Sequence, residues 1–147
     1  MKKFTIIVPC YNSEKWIEQC LVSALNQSYD NIEVIFVDNE STDTSLNIAK
    51  LLQKQYHNLI ISSALNIYPN CWDEARSKGF ELMSGDYVLV MGADDFLHKD
   101  FIKNCMSIIL KKPSKIKALQ SPIRGIRANT GINVGDIYHQ YSSLNEF

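Results

Sequence analysis

Two adjacent carboxylates, Asp94 and Asp95, follow a run of apolar residues from Tyr87 to Met91 that is bounded by glycines. A run of this length is typical of a central strand that is buried on both faces of a parallel sheet. Ligands of open α/β sheets bind beyond the carboxyl ends of the strands, so this pair is a candidate site for a metal or a cofactor. The alternative is that the two acids only cap a turn or the next helix.

Polar residues also follow two earlier apolar runs. Pro9, Tyr11 and Asn12 come after the first run, and Asp38 and Asn39 come after the second. Because the carboxyl ends of parallel strands meet at one edge of a sheet, we expect these side chains to lie near the acid pair. An aromatic ring with hydrogen-bonding side chains suits a nucleobase and ribose, and carboxylates suit a divalent cation that neutralises a diphosphate.

Strand-like runs alternate along the chain with helix-like runs. The predicted strands are residues 4–8, 32–37, 59–62, 87–91 and 116–119. Apolar residues of the helices between them, including Trp16 and Trp72, recur at a spacing of three and four residues, which indicates faces that pack on the sheet. Strands separated by helices of this length form parallel βαβ units with helices on both faces. We therefore predict a Rossmann-like α/β fold with a mostly parallel central sheet over residues 1–120, and an irregular segment over 121–147.

The composition excludes several classes of function. A net charge of −1 leaves no surplus of Lys and Arg, which argues against binding to nucleic acid. No apolar segment approaches the ~20 residues that cross a bilayer, so we expect no transmembrane segment. Four cysteines without a C-x-x-C pair indicate incidental thiols in a reduced, cytoplasmic protein. The chain lacks G-x-G-x-x-G and G-x-x-x-x-G-K-[ST], which argues against a dinucleotide dehydrogenase or a P-loop NTPase.

Four short motifs occur in a fixed order: IIVPCYN at residues 6–12, VDNESTD at 37–43, ARSKG at 75–79, and GDY leading into ADD over 85–95. Each motif is weak alone, but together they resemble the family 2 glycosyltransferases with the GT-A fold over residues 4 to about 110. The resemblance implies inverting transfer of a sugar from a nucleotide-diphospho-sugar donor to an acceptor hydroxyl, in polysaccharide biosynthesis. It also implies a saccharide or lipid-linked acceptor, and action in the cytoplasm or at the inner face of the membrane.

The resemblance assigns nucleotide-binding roles residue by residue. Pro9 and Tyr11 fall where the family packs the base, and Asp38 and Asn39 fall where it carries two acids that read the base. Arg76 falls where a basic side chain reaches toward the nucleotide. Because an amide can both donate and accept, we rank UDP-sugars only slightly above GDP-sugars as donors. Without the resemblance, Tyr11 would be interpreted as a surface aromatic and Arg76 as a solvated helix charge.

The same resemblance implies a divalent cation, Mg²⁺ or Mn²⁺, that bridges the donor diphosphate to an Asp-X-Asp motif. Asp94 takes the position of the usual metal ligand, also faces the nucleotide, and has Asp95 beside it as a second candidate ligand. Gly92 stands where the family has its first acid, which weakens the expected affinity for metal. Glu40 stands where glycine is common, so we expect the turn there to be built differently, because such turns often need a positive φ.

The recognisable motifs end before Leu110, and no residue beyond them is in a context typical of the catalytic base. We therefore assign no catalytic residue and expect the chain to be a shortened homologue or the donor-binding part of a larger transferase, with residues 121–147 as a tail or the start of an acceptor region. A non-catalytic module that binds nucleotide-sugars is the alternative. A sugar-phosphate nucleotidyltransferase is disfavoured because no glycine-rich loop follows the first strand.

Overall fold

The computed structural model describes residues 1–67, 72–111, 123–126 and 133–137. The chain divides into two compact units, Met1–Ile108 and Ile109–Phe147. In chain order the elements are β1 (Phe4–Cys10), α1 (Ile17–Leu25), β2 (Ile32–Asp38), α2 (Ser45–Gln53), β3 (Leu59–Ser63), α3 (Asp73–Leu82), β4 (Tyr87–Val90), α4 (Phe101–Ile109), β5 (Ile123–Ile126) and β6 (Asn133–Ile137).

The first unit is built on a four-stranded sheet in the order β3-β2-β1-β4, and each neighbouring pair is parallel. Phe4 of β1 lies beside Ile32 of β2 and Tyr87 of β4. Every residue of β1 and β2 is buried, as expected for strands that read as nearly continuous apolar runs. The predicted α/β fold with a parallel sheet is confirmed.

The chain order places helices on both faces of this sheet. The connections through α1 and α2 step across the sheet in one direction, and the connection through α3 steps back. Right-handed crossovers therefore put α3 on the face opposite α1 and α2. On the α3 face, Ala75 packs with Ile7, Ile35 and Val37, and a Cβ at Gly79 would lie only 2.3 Å from Cγ2 of Ile7.

The position of β4 differs from the sequence prediction. The apolar run at 87–91 indicated a central strand buried on both faces, but within the described residues β4 pairs only with β1 and forms the edge of the sheet. Val88 is 38% exposed as a result. An apolar run reports hydrophobicity and not the number of neighbouring strands. The strand predicted at 116–119 lies outside the described residues.

Two helices begin later than their apolar spacing suggested. Trp16 and Trp72 were expected on packed helix faces, but they are the N-cap residues of α1 and α3. The predicted packed face of α1 is otherwise confirmed by five buried residues: Ile17, Cys20, Leu21, Ala24 and Leu25.

In the second unit, β5 and β6 form a two-stranded antiparallel sheet. These strands lie within the segment 121–147 that the sequence analysis described as irregular. The first compact unit ends at Ile108, and the domain boundary at 120 stays a prediction. The proposed roles of the two segments stay predictions.

A buried carboxylate, Glu33, joins three segments at the amino-terminal edge of the sheet. Its Oε1 accepts hydrogen bonds from the Thr5 hydroxyl at 2.7 Å and the Ser84 amide at 2.6 Å. Its Oε2 accepts from the Ser84 hydroxyl at 2.7 Å and lies 2.5 Å from Nζ of Lys3. Burial alone would raise the pKa of this carboxyl, but the hydrogen bonds from Lys3, Thr5 and Ser84 outweigh it and lower the pKa to about 2.

Candidate functional site

A cavity of about 410 Å³ opens at the carboxyl-terminal edge of the parallel sheet. Its walls come from residues 9–13 at and after the end of β1, Trp16 at the start of α1, Asn39 after β2, Trp72 at the start of α3, and residues 92–94 after β4. The cavity therefore lies where open α/β sheets bind their ligands, and its size suits a small organic molecule.

The structure brings together four of the residues that the sequence assigned to the nucleotide site. Pro9, Tyr11, Asn39 and Asp94 all line the cavity. They come from the ends of three different strands, so the prediction that these strand ends converge is confirmed. The Tyr11 ring is partly exposed, whereas the Asn39 side chain is almost fully buried. The cavity thus combines an accessible aromatic face, a fixed amide and a carboxylate.

Asp38, the last residue of β2, is buried beside this site and does not line the cavity surface. Its Oδ2 accepts a hydrogen bond from the Ser41 amide at 3.2 Å. Its Oδ1 has no hydrogen-bond partner within the described part of the chain. A buried carboxylate oxygen without a donor is costly.

Arg76 is, after Asp38, the second predicted nucleotide-binding residue that does not line the cavity. It is exposed on α3 and forms an ion pair with Asp73, three residues earlier on the same helix. No other Lys or Arg appears among the described residues that line the cavity. The described cavity wall therefore carries one formal charge, the negative charge of Asp94.

Asp94 and Asp95 have different surroundings. Asp95 Oδ2 accepts a hydrogen bond from the Gly92 amide at 3.2 Å, and the Asp95 amide donates to the Gly92 carbonyl at 3.1 Å. Asp95 therefore closes a turn, as in the alternative interpretation of the acid pair. Asp94 is exposed at the cavity. Asp95 as a metal ligand stays a prediction.

Cys20 of α1 also contacts the turn after β4. Its thiol donates to the Gly92 carbonyl at 3.4 Å. Burial raises the pKa of this thiol, and the nearby Asp95 and Asp94 carboxylates raise it further. The thiol therefore stays protonated and keeps its donor role at neutral pH.

The donor set around Asp94 fits a divalent cation only in part. Carboxylate oxygens are the ligands that Mg²⁺ and Mn²⁺ prefer. However, the described residues contain no group of three or more His, Cys, Asp or Glu side chains that could hold a metal ion. Two neighbouring carboxylates would leave most coordination positions to diphosphate oxygens and water.

Sequence reasoning missed two aromatic residues of the cavity wall. Trp16 is 39% exposed and Trp72 is 62% exposed, and both line the cavity. Helical spacing placed them on packed faces because each precedes a series of apolar positions. The available signal was their location at a helix start directly after a strand-end loop, where a side chain faces the carboxyl edge of the sheet.

The loop after β1 is fastened to the loop after β2. Asn12 has a left-handed backbone, with φ of 47°. Its Oδ1 accepts hydrogen bonds from the backbone amides of Thr42 at 2.8 Å and Asp43 at 3.3 Å, and the Ser41 hydroxyl accepts from the Asn12 amide at 3.1 Å. Asn12 therefore shapes the cavity by holding the neighbouring loop.

Glu40 also has a left-handed backbone, with φ of 59°. The prediction that this turn would be built differently from the glycine turn common in the family is wrong, because the positive φ is kept despite the side chain. Its carboxylate Oε2 accepts a hydrogen bond from the Asn66 amide at 3.0 Å. This contact compensates for part of the steric cost of the conformation.

The chain matches known glycosyltransferases. The family model described as Glycosyl transferase family 2 matches residues 5–132. Glycosyltransferase GlyA of Streptococcus pneumoniae is 33% identical over 114 residues, which are 78% of this chain and 16% of that protein. An uncharacterized glycosyltransferase of Haemophilus influenzae is 35% identical over 112 residues, which are 76% of this chain and 44% of that protein. This chain thus spans less than half the length of these relatives.

Solved structures share the fold. The Staphylococcus aureus TarS structure with UDP has a TM-score of 0.70 and 29% identity, covering 82% of this chain and 38% of that chain. The mannosyltransferase PcManGT from Pyrobaculum calidifontis has a TM-score of 0.65 at 23% identity, covering 74% of this chain and 32% of that chain, and is compared for its fold alone. None of the helices in the described residues has the length and apolarity needed to cross a bilayer. From its motifs, its sheet and these matches, the chain belongs to glycosyltransferase family 2 and has the GT-A fold.

Proposed function

We propose that this chain binds a nucleotide-diphospho-sugar in the cavity and is the donor-binding part of an inverting glycosyltransferase. The observation that carries the proposal is the cavity at the strand ends, which combines the Tyr11 ring, the Asn39 amide and the Asp94 carboxylate. Structures of the relative TarS contain UDP and UDP-GlcNAc. This supports ranking uridine donors first.

In the proposed complex, Pro9 and Tyr11 pack against the base, and Asp38 and Asn39 hydrogen-bond its edge. An aromatic ring stacks on any of the nucleobases, so discrimination between bases depends on the polar groups. Asp38 Oδ1 is an acceptor that needs a donor, and a base N–H or a ribose hydroxyl would provide one. The Asn39 amide supplies both a donor and an acceptor.

The diphosphate of the donor would meet an unfavourable charge at the described cavity wall. That wall has the Asp94 carboxylate and no described basic side chain, so an anionic ligand is repelled unless its charge is neutralised. Asp94 would hold Mg²⁺ or Mn²⁺, with Asp95 beside it, and the bound cation would neutralise the negative charge that builds up on the departing diphosphate. Arg76 would contribute only by leaving its ion pair with Asp73.

In the proposed transfer, the acceptor hydroxyl oxygen forms a bond to the anomeric carbon from the face opposite the diphosphate. The bond from that carbon to the diphosphate oxygen breaks, and its electron pair leaves with the nucleoside diphosphate. The hydroxyl proton passes to a general base, to which we assign no residue. We propose a saccharide or lipid-linked acceptor and a role in polysaccharide biosynthesis, in the cytoplasm or at the inner face of the membrane.

A second candidate function is a non-catalytic module that binds nucleotide-sugars. Gly92 in place of the first acid of the Asp-X-Asp motif favours it, because fewer carboxylates remain to hold a cation. The two functions differ in turnover: sugar transfer by this chain near ~10 s⁻¹, the rate of a median enzyme, excludes the module. Donor binding without transfer agrees with the module or with the donor-binding part of a larger enzyme.

Thermal denaturation with added nucleotides tests the proposed binding. A ligand at 100 times its Kd stabilises the folded chain by about 2.7 kcal/mol. We expect UDP with Mn²⁺ to raise the Tm more than GDP does, and both to raise it more than NAD does. If NAD stabilises the chain as well as UDP does, the assignment of the cavity to a nucleoside diphosphate is wrong.

A further inference from the structure

Trp16 is a large aromatic side chain of the cavity wall that the proposed contacts with the base and the diphosphate do not use. It is partly exposed and lines the cavity. It is the N-cap residue of α1, but its side chain makes no capping hydrogen bond. Ligand pockets are typically lined by aromatic side chains that the ligand covers. The position of Trp16 therefore indicates a contact with a further part of the ligand.

Trp16 lies at the end of the cavity that carries Asp94. The Trp16 carbonyl accepts a hydrogen bond from the Cys20 amide at 3.0 Å, so the two residues are one helical turn apart, about 5.4 Å along α1. Residues at this spacing share a face of a helix. The Cys20 thiol donates to the Gly92 carbonyl at 3.4 Å, in the turn after β4. Because α1 begins at the carboxyl-terminal edge of the sheet, Trp16 lies beside this turn on its cavity side.

The strand order decides which part of a donor is near Trp16. β1 lies between β2 and β4, so the segments that follow β2 and β4 are two strand spacings apart, about 10 Å. In the proposed function the base lies beside Asn39 after β2, and the diphosphate lies at Asp94 after β4. The sugar is attached to the diphosphate at the end remote from the nucleoside. The sugar then lies on the β4 side of the cavity, which is the side of Trp16.

We propose that the Trp16 indole is the surface on which the pyranose ring of the donor sugar stacks. This role rests on the proposed function and extends it from the nucleotide to the sugar. A pyranose has hydroxyl groups around its rim and C–H groups on its faces, and these C–H groups carry a small positive charge. The face of an indole is broad, apolar and negative, so it complements such a ring. The sugar hydroxyls stay free to bond water and polar groups.

Trp72 provides a matched control. It also is exposed and lines the cavity, but it begins α3, on the opposite face of the sheet. Ala75, in the first turn of α3, packs with Ile7 of β1 and Ile35 of β2. Trp72 therefore lies over β1 and β2, the side of the cavity that the proposed function assigns to the base. A loss of affinity that is confined to the sugar should occur at Trp16 and not at Trp72.

Calorimetric titration in Mn²⁺ separates the sugar from the nucleotide. The ligands are UDP, UDP-glucose, UDP-galactose and UDP-GlcNAc, and the Kd of UDP divided by the Kd of the tightest UDP-sugar measures the contribution of the sugar. Trp16→Ala removes the stacking surface, Trp16→Leu keeps apolar bulk without an aromatic face, and Trp16→Phe keeps an aromatic face. Thermal denaturation measures whether each variant is folded.

We expect Trp16→Ala and Trp16→Leu to lower this ratio about three- to tenfold, the size of one aromatic contact, and to change the affinity for UDP less than about twofold. Trp16→Phe should keep most of the ratio, and Trp72→Ala should leave it unchanged. Equal losses for UDP and the UDP-sugars would assign Trp16 to the nucleotide, and no loss for either would exclude it from the site. Both outcomes overturn the proposal although the proposed function stands.

A fluorescence measurement tests the same contact without altering Trp16. The chain has two tryptophans, so Trp72→Phe leaves Trp16 as the single reporter. We expect the UDP-sugar that binds most tightly to change the Trp16 emission, and UDP to leave it nearly unchanged. The same change with UDP alone, or a wild-type chain that binds no UDP-sugar more tightly than UDP, overturns the stacking role. If the wild-type chain binds neither UDP nor a UDP-sugar, the proposed function fails and this role fails with it.

Discussion

Substitution of Glu33 by glutamine tests how the amino-terminal edge of the sheet is held together. Glutamine has the same shape, but its NH₂ group replaces one of the two carboxylate oxygens that accept hydrogen bonds. Whichever way the amide turns, it faces either the hydroxyl of Thr5 and the amide of Ser84 or the Ser84 hydroxyl and Nζ of Lys3. Two donors in the buried network then lose their acceptor, which is costly.

The lowered pKa of Glu33 gives the size of its contribution to stability. The folded chain lowers it from 4.5 to about 2, and each tenfold change in proton affinity corresponds to about 1.4 kcal/mol. The ionised carboxylate therefore contributes about 3 kcal/mol to the free energy of unfolding at neutral pH. Because the pKa is lowered on folding, this contribution is complete above about pH 4.5 and is lost as the pH falls toward 2.

Urea denaturation of the wild type and of Glu33→Gln at pH values from 7 to 3 measures this contribution. We expect Glu33→Gln to lower the free energy of unfolding by about 3 kcal/mol at pH 7, and the difference to shrink below pH 4.5. Glu18→Gln is the matched control, since Glu18 is an exposed carboxylate of α1 and should change stability by less than ~0.5 kcal/mol. A difference at pH 7 as small as that of the control would refute the role of the network.

The remaining predictions concern the turn after β4 and the packing of α3. Asp94→Ala should abolish the coupling by which Mn²⁺ and UDP tighten each other's binding, and Asp95→Ala should weaken it less. Calorimetric titration of each variant with UDP, with and without Mn²⁺, measures this coupling. If the coupling survives in Asp94→Ala, Asp94 is not a ligand of the metal. Gly92→Asp should strengthen the coupling because it adds a carboxylate beside Asp94. The Asp94 side chain must shift to admit it, since the new Cβ would lie 2.8 Å from Asp94 Oδ1 and 3.1 Å from Asp95 Oδ2. Gly79→Ala should lower the free energy of unfolding by about 1–3 kcal/mol, since its Cβ would overlap the buried Ile7. Urea denaturation measures this loss against Ser77→Ala, an exposed position of α3, and equal stability of the two variants would contradict it.

The parallel sheet and the position of the cavity were predictable because they depend on short-range signals. Runs of apolar residues located all four strands of the first unit to within a few residues. Once the strands are parallel, topology alone places their carboxyl ends together. These two signals are sufficient to place Pro9, Tyr11, Asn39 and Asp94 at one edge of the sheet.

Other features depended on contacts between distant residues, which apolar spacing does not encode. The edge position of β4 depends on which strands are neighbours. Trp16 and Trp72 were misplaced because helical periodicity does not mark the first residue of a helix to within one position. The ion pair of Arg76 with Asp73 does have a local signal, an acid three residues before a base on a helix.

Glu33 had a signal of another kind. It lies within a run that predicted a buried strand, and a charged side chain there requires a partner because burial of an unpaired charge is costly. The sequence could therefore have indicated a buried ion pair on β2. It could not have identified Lys3 and Ser84 as the partners, because they come from segments far from β2 in the chain.

The amino-terminal edge of the sheet has well-paired buried polar groups, whereas the carboxyl-terminal edge has strained backbone and an unpaired polar atom. At the amino-terminal edge, Glu33 satisfies the donors of three segments and holds β1, β2 and the segment before β4 together. At the carboxyl-terminal edge, Asn12 and Glu40 hold unfavourable backbone conformations, and Asp38 keeps a buried oxygen without a partner. A strained edge persists only if the rest of the fold fixes the strands that form it. The Glu33 network meets that requirement from the far end of the same strands, so its loss should lower the stability of the chain without a direct effect on the groups that contact the nucleotide.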